Sequence, residues 1–534
     1  MRRYRGVIAA AALIAMGAAH AAPRVTVESG VLEGIPAKSG GVALREFRGI
    51  PFAAPPLRDL RWRPPQPAAR WQGVRPARRF GPRCMQLPLF SDMVFRASGM
   101  SEDCLYLNVW TPVRLPQSTR PVKLPVLVYF YGGGFVAGDG SEPRYDGASL
   151  AARGIVTVTV NYRLGVFGFL ALPALVAESP AHAAGNYGLL DQVAALSWVK
   201  ENIGSFGGDP GQVTIGGESA GSISVNALAA SPRARGLFAR AIGESGALIA
   251  PIAPQTLAAA ERVGADFSGH VGAKSLAALR AMPAATLLQA TDPKVMPTSS
   301  FAPDVDGDVL KEPPAATFER GAQADVPLLV GSNSEEAPES AILQGMSPTP
   351  AHYRAAIERL FGPRAGRALA LYPAARAAGV RRSATALAGD LFIAHTTWRW
   401  MDLQRRTGKA PVYYYYFDHA RPARRHPLPG ETAAAGAVHS AEIEYALGNL
   451  RGNTVYAWTR TDHRVAEIMQ AYFAQFIKTG DPNGPGLPVW PAVRKAHGGV
   501  LRQRIGADVR SVVDRGAARQ QFLTRYYAAQ PQAQ

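Results

Sequence analysis

The chain has 534 residues, of which 47% are hydrophobic and 18% charged, and a formal net charge of +18. This length exceeds what one small core needs, and the balance fits a globular protein with a large apolar interior. The basic residues are scattered, as at Arg78-Arg79, Arg381-Arg382 and Arg424-Arg425, with no aromatic-interleaved stripe, so nucleic-acid binding is excluded. The field is read as a solvated arginine-rich surface that disfavours cationic ligands.

Residues 1–21 read as a signal peptide. Arg2, Arg3 and Arg5 precede an apolar run from Val7 to Ala19, and Ala19-His20-Ala21 offers a cleavage site after Ala21. The run is too short to span a bilayer comfortably, and no later stretch is long and apolar enough to do so. The expectation is therefore a secreted or periplasmic protein with no integral membrane segment, acting as a monomer or homodimer. Removing residues 1–21 leaves a net charge of +15. Cys84 and Cys104 are the only cysteines, and export permits a disulfide between them.

In chain order, Pro125 to Tyr131 is a continuous apolar run that ends in Gly132-Gly133-Gly134. Gly154 to Tyr162 is β-branched, Leu189 to Ile203 has helical spacing, Gln212 to Gly216 is a strand, and Ser222 to Ala230 is a helix. Val326 to Gly331 and Val412 to Asp418 are later strands. The stretches 250–320 and 340–410 are alanine-rich and helical in pattern. This alternation predicts a mostly parallel sheet flanked by helices, with residues 22–534 as one domain.

Gly217-Glu218-Ser219-Ala220-Gly221 follows a strand and opens a helix. That is the context of a nucleophile elbow, where a strained turn exposes the serine. Ser245, in the near-repeat Gly243-Glu244-Ser245-Gly246, is read as a strand end with no catalytic role. Ser219 needs a base and an oxyanion hole. The N–H groups of Gly133, Gly134 and Ala220 are the candidate donors. No metal-ligand spacing such as His-Glu-x-x-His is present, and the chemistry needs no cofactor.

The chain resembles the type-B carboxylesterases, the family of cholinesterases, liver carboxylesterases and para-nitrobenzyl esterases. Its landmarks are Phe47-Arg48-Gly49-Ile50-Pro51-Phe52-Ala53, Ser101-Glu102-Asp103-Cys104-Leu105-Tyr106-Leu107-Asn108 and Asn161-Tyr162-Arg163-Leu164-Gly165. Gly185-Asn186-Tyr187-Gly188-Leu189-Leu190-Asp191-Gln192, Phe206-Gly207-Gly208-Asp209-Pro210 and Thr479-Gly480-Asp481-Pro482-Asn483 complete them. The resemblance implies an α/β-hydrolase fold with helical insertions over the active-site end. It also implies a Ser–Glu–His triad in that order. Gly331-Ser332-Asn333-Ser334-Glu335-Glu336 then selects Glu336, with Glu335 as the alternative. Ala337 stands where the family usually has glycine. Gly436-Ala437-Val438-His439-Ser440-Ala441-Glu442 selects His439 over His395, His419, His426 and His463, which are read as surface or packing residues.

By the same resemblance, Cys84 and Cys104 match the family's first disulfide. Arg163 and Asp191 form a buried ion pair, and Glu442 and Ser224 brace the histidine loop. The expected activity is carboxylic-ester hydrolysis of a small-molecule substrate. The 85–103 loop holds Phe90 and Phe95 but no tryptophan, which counts against choline esters. Short-chain or aromatic esters, neutral or anionic, fit better. A lipase, an amidase and a catalytically dead adhesion protein are the competing readings.

Overall fold

A computed structural model of the chain describes residues 22–113, 123–427, 434–493 and 499–530. The signal-peptide segment, residues 1–21, lies outside the described residues. No helix among the described residues is long and apolar enough to cross a membrane.

The centre is an 11-stranded sheet. Its strands are β1 (Ile35–Ser39), β2 (Val42–Pro51), β3 (Tyr106–Pro112), β4 (Leu124–Phe130), β5 (Val156–Val160), β6 (Gly208–Glu218), β7 (Arg240–Glu244), β8 (Leu328–Asn333), β9 (Val412–Phe417), β10 (Leu501–Ile505) and β11 (Arg510–Val513). Their spatial order is β11-β10-β9-β8-β7-β6-β4-β5-β3-β2-β1. Every pairing from β5 through β10 is parallel. The flanks, β1–β2–β3–β5 at one edge and β10–β11 at the other, pair antiparallel.

The parallel strands carry the core because helices cover both faces, so both sides of each strand are apolar. All five residues of β5 are buried, as are Val126 to Phe130 of β4. The sequence reading placed β4, β5, β8 and β9 within two residues of their ends and β6 with a start four residues late; it gave β7 only as a strand ending near Ser245 and did not identify β10. It missed the antiparallel flanks. Of those strands, β1, β2 and β11 are half exposed and punctuated by glycine, proline or charge, while β3 is buried from Leu107 to Thr111 but has Asn108 and Thr111 breaking its apolar run.

The insertions are helical, as expected. Leu257–His270, Leu276–Ala281 and Ala284–Gln289 follow β7. Pro350–Phe361, Ala365–Leu371 and Ala377–Gly389 follow β8 and enclose a second apolar cluster around Tyr353, Ile357, Phe361 and Leu387. The C-terminal helix Ala517–Ala528 contributes Leu523 to that cluster.

Cys84 and Cys104 are joined by a disulfide and both sulfurs are buried. Arg163 and Asp191 form the expected buried ion pair, with Nη2–Oδ1 and Nε–Oδ2 both at 2.8 Å. Ser224 corrects one expectation. It lies in the helix Ala220–Ala230, donates to Ala220 O at 2.9 Å and accepts from Gln192 Nε2 at 2.9 Å. Its hydroxyl is spent inside the helical layer, so it does not brace the histidine loop. Reducing the disulfide releases a closed loop with a sequence separation of 20. The unfolded chain then gains entropy worth about 3 kcal/mol. The melting temperature should fall under reductant, and an unchanged melting curve would show the bridge to be idle.

Candidate active site

Ser219 stands between β6 and the helix Ala220–Ala230, with φ +55° and ψ −121°. A non-glycine residue at positive φ is strained, and two contacts hold it there. Its N–H donates to Glu244 O of the adjacent β7 at 2.8 Å, and its carbonyl accepts from Ile223 N–H at 2.9 Å. The flanking glycines are required by space. A Cβ on Gly221 would lie 2.0 Å from Phe130 O, and one on Gly217 would lie 2.6 Å from the same oxygen. The blocking atom is a backbone carbonyl oxygen, so it cannot yield.

The three residues selected from sequence converge. His439 Nε2 is 3.0 Å from Ser219 Oγ, and His439 Nδ1 is 2.6 Å from Glu336 Oε2. Glu336 follows β8 and is buried. Glu335, the alternative acid, instead pairs its backbone with the histidine loop, donating from N–H to Ala437 O at 2.8 Å. Ala437 N–H in turn donates to Ser334 Oγ at 2.8 Å. The acid loop thus carries the histidine loop on its back. The other histidines lie elsewhere: His395 is buried against Gln520, His419 is half-buried against Asp462, and His426 and His463 are exposed.

Three participants escaped the sequence reading. Ser245, at φ +56° after β7, donates from Oγ to Glu336 Oε1 at 2.7 Å. The N–H of Asn333 donates to the same oxygen at 2.6 Å. Asn333 Nδ2 also donates to Val438 O at 2.9 Å and to Glu442 Oε2 at 2.5 Å. Glu442 therefore acts as a brace, as expected, but through Asn333 and Ser245. The near-repeat of Gly217-Glu218-Ser219 at Gly243-Glu244-Ser245 was the available signal for a second elbow-like turn. Adjacent parallel strands set Glu218 and Glu244 in register, which places both serines at the same sheet edge.

The third is Glu218. Its Oε1 lies 3.2 Å from His439 Nε2, the nitrogen that also faces Ser219. Burial is the main reason its carboxyl is pushed up to about 8, with nearby Glu442 adding to the rise and His439 opposing it. Burial alone would lower His439, but the carboxylates of Glu218 and Glu336 outweigh it and push the imidazole up to about 9. Glu442 is raised to about 7, mainly by burial and then by Glu336. These groups exchange protons as one unit. Glu218→Gln removes a negative charge that favours the imidazolium, so His439 should lose its proton at lower pH. The acid limb of kcat/KM should move down the pH scale. A limb that stays or moves up would refute this electrostatic reading.

The glycine-rich loop meets Ser219 directly. A Cβ on Gly132 would lie 3.0 Å from Ser219 Cβ. Gly133 and Gly134 have φ of +109° and +64°, values open to glycine. Their N–H groups and that of Ala220 have no carbonyl or side-chain acceptor among the described residues. Ala220 is the first residue of its helix, where N–H groups lack intrahelical partners. Phe392 stands edge-on to His439 with ring centroids 5.1 Å apart, and a Cβ on Gly133 would touch Met93 Cε. An apolar cavity of about 30 Å³ beside this loop is lined by Met85, Leu87, Val136, Phe167, Met296 and Phe301. No group of three His, Cys, Asp or Glu side chains among the described residues is arranged to hold a metal ion.

Residues 21–521 match the model of the carboxylesterase family. The chain is 36% identical over 493 residues to fumonisin B1 esterase of Sphingopyxis macrogoltabida, covering 87% of this chain and 83% of the relative. It is 37% identical over 486 residues to carboxylesterase 5A of Canis lupus familiaris, covering 84% and 79%. It is 35% identical over 487 residues to para-nitrobenzyl esterase of Bacillus subtilis (strain 168), covering 88% and 92%. With this match along nearly its whole length and a mostly parallel, helix-flanked sheet, the chain belongs to the carboxylesterase family and is a serine carboxylic ester hydrolase of the α/β-hydrolase fold.

Proposed function

We propose that Ser219 is the nucleophile of this esterase, His439 its general base and acid, and Glu336 the group that orients the imidazole. The observation that carries the reading is the unbroken chain Ser219 Oγ–His439 Nε2 at 3.0 Å and His439 Nδ1–Glu336 Oε2 at 2.6 Å. As Ser219 Oγ attacks the ester carbonyl, its proton passes to His439 Nε2. Glu336 stabilises the imidazolium that forms. The tetrahedral oxyanion is held by the N–H groups of Gly133, Gly134 and Ala220. Collapse breaks the bond to the alcohol oxygen, which leaves with the proton from His439. Water then attacks the acyl-enzyme by the same steps and releases the acid.

The substrates are short-chain or aromatic esters, neutral or anionic. Met93 lies against Gly133 and Phe392 against His439, which gives the site apolar neighbours. Residues 1–21 act as a signal peptide, and residues 22–534 form one domain that works outside the cytoplasm as a monomer or homodimer. The buried Cys84–Cys104 disulfide suits an oxidising compartment. A para-nitrophenyl ester series from acetate to palmitate tests the substrate class. The rate should peak at short chains. A maximum at long chains would make the protein a lipase, and no turnover of any member would revive the amidase and adhesion readings.

A further inference from the structure

The loop 132–140 is held by contacts from outside itself. Gly133, Gly134 and Gly138 all have positive φ, and the loop lies beyond the end of β4. Within it Val136 N–H and Ala137 N–H both donate to Gly133 O at 3.1 Å, and the position of this turn against the rest of the fold is set by contacts from outside. Phe135 O accepts from Gly165 N–H at 2.7 Å, and Gly140 N–H donates to Asn161 Oδ1 at 3.0 Å. The middle of the loop is held by Gln86, which is 5% exposed. Its Oε1 accepts from Gly138 N–H at 3.0 Å, and its Nε2 donates to Gly138 O at 2.9 Å. The same Nε2 donates to Cys84 O at 3.0 Å. The Gln86 amide thus pairs with Gly138 through both backbone groups, as a neighbouring strand would. Only one orientation of the amide satisfies both bonds.

Gln86 sits two residues beyond Cys84, inside the segment closed by the disulfide. That segment also meets the loop at Gly133 and, just after the loop, at Ser141. Met93 Cε packs on Gly133, and Arg96 and Ala97 N–H both donate to Ser141 Oγ at 3.0 Å. A cross-linked segment therefore lies along the glycine-rich loop, and Gln86 is a buried polar contact between them.

We propose that Gln86 is a positioning residue for oxyanion binding: by pairing with Gly138 it ties the loop to the disulfide-closed segment and aims the N–H groups of Gly133 and Gly134 at the developing charge. This inference rests on the oxyanion-hole reading given above. Such donors work over a few tenths of an ångström around 3 Å from the oxyanion, and they bind a ground-state carbonyl much less strongly. Slackening the loop should therefore lower kcat and leave KM nearly alone.

Gln86→Met keeps the length of the side chain and removes the amide. The test measures kcat per active site, KM for para-nitrophenyl acetate, the inhibition constant of an aryl trifluoromethyl ketone and the pH profile, with sites counted by stoichiometric fluorophosphonate labelling. The ketone forms a serine adduct that carries an oxyanion. We expect kcat to fall on the order of 10- to 100-fold, KM to stay within about twofold, and ketone affinity to fall in parallel with kcat. The acid limb of the pH profile should not move, because His439 is not involved. Unchanged kcat per site, a loss in KM alone, retained ketone affinity or a shifted acid limb would each overturn the assignment. Where Gln86→Met does not fold, Gln86→Asn, which withdraws the amide by one methylene, is judged by the same measurements. Failure of both to fold overturns the assignment as well, since Gln86 would then be a determinant of folding. Activity retained by Ser219→Ala would refute the nucleophile reading whatever Gln86 does. Normal Gln86 variants beside an inactive Ser219→Ala would refute only this inference.

Discussion

Ser219→Ala is expected to lower kcat on para-nitrophenyl esters on the order of 10⁶-fold, with the melting temperature little changed. Removing the nucleophile of a serine triad costs about that much, because the remaining residues have no bond-forming partner to act on. What survives is the contribution of binding and the oxyanion donors, about 10³- to 10⁴-fold over water. The fold should persist because the Ser219 hydroxyl makes its hydrogen bond to His439, whereas the elbow is held by backbone bonds to Glu244 O and from Ile223 N–H. Alanine accepts the same backbone angles with no greater strain than serine. Initial rates and a thermal melt on the same preparation check both halves. Activity above about one per cent of wild type, far beyond that residual, would move the nucleophile elsewhere. Ser245, the serine of the near-repeat, would be examined first.

Glu336→Gln should lower kcat by about 10⁴-fold with little effect on KM. The side chain changes by a single atom, so packing is preserved and the loss is electrostatic and tautomeric. Glu336 Oε1 accepts from Asn333 N–H at 2.6 Å and from Ser245 Oγ at 2.7 Å, while Oε2 faces His439 Nδ1 at 2.6 Å. An amide has one acceptor end. The Asn333 N–H can only donate, so the amide oxygen must face it, and the NH₂ group then faces His439. That forces the tautomer with the proton on Nε2, which cannot take the proton of Ser219. It also leaves the imidazolium without its anionic partner. Steady-state kcat and KM measured beside a thermal melt would test this. A loss of tenfold or less would mean that another carboxylate orients the histidine, and Glu442, linked to the same Asn333 and Ser245, is placed to do so.

Much of this site was legible because its parts obey local rules. Gly217 and Gly221 are demanded by backbone atoms within a few residues of the elbow and by the strand beside it. Gly133 and Gly134 are demanded by positive φ. Glu336 and His439 were picked out by the resemblance to the type-B carboxylesterases, in segments that come after the strands Leu328–Asn333 and Val412–Phe417. Local rules failed where a side chain's role depended on a distant neighbour. Ser245 looked like the end of a strand, and its hydroxyl acquires a function only when Glu336, 91 residues later, comes within 2.7 Å. Ser224 looked like a brace and is not, because its helix turns it toward Gln192. The antiparallel flanks were invisible because β1, β2 and β11 are half exposed and carry a weak pattern, polar residues break the apolar run of β3, and their pairing is decided by the sheet as a whole.

The sequence by itself determined the parallel core, the turn at Ser219 and the glycine-rich loop, since each is written in neighbours along the chain, whereas Glu336 and His439 were picked out by the resemblance to the type-B carboxylesterases. Tertiary structure alone decided which groups hold Glu336, that Glu218 shares His439 Nε2 with Ser219, that Gln86 ties the disulfide-closed segment to the oxyanion loop, and how far the buried carboxyls titrate. The reason is physical: hydrogen bonding and desolvation depend on distance in space, and only the folded sheet brings these groups within about 3 Å of one another.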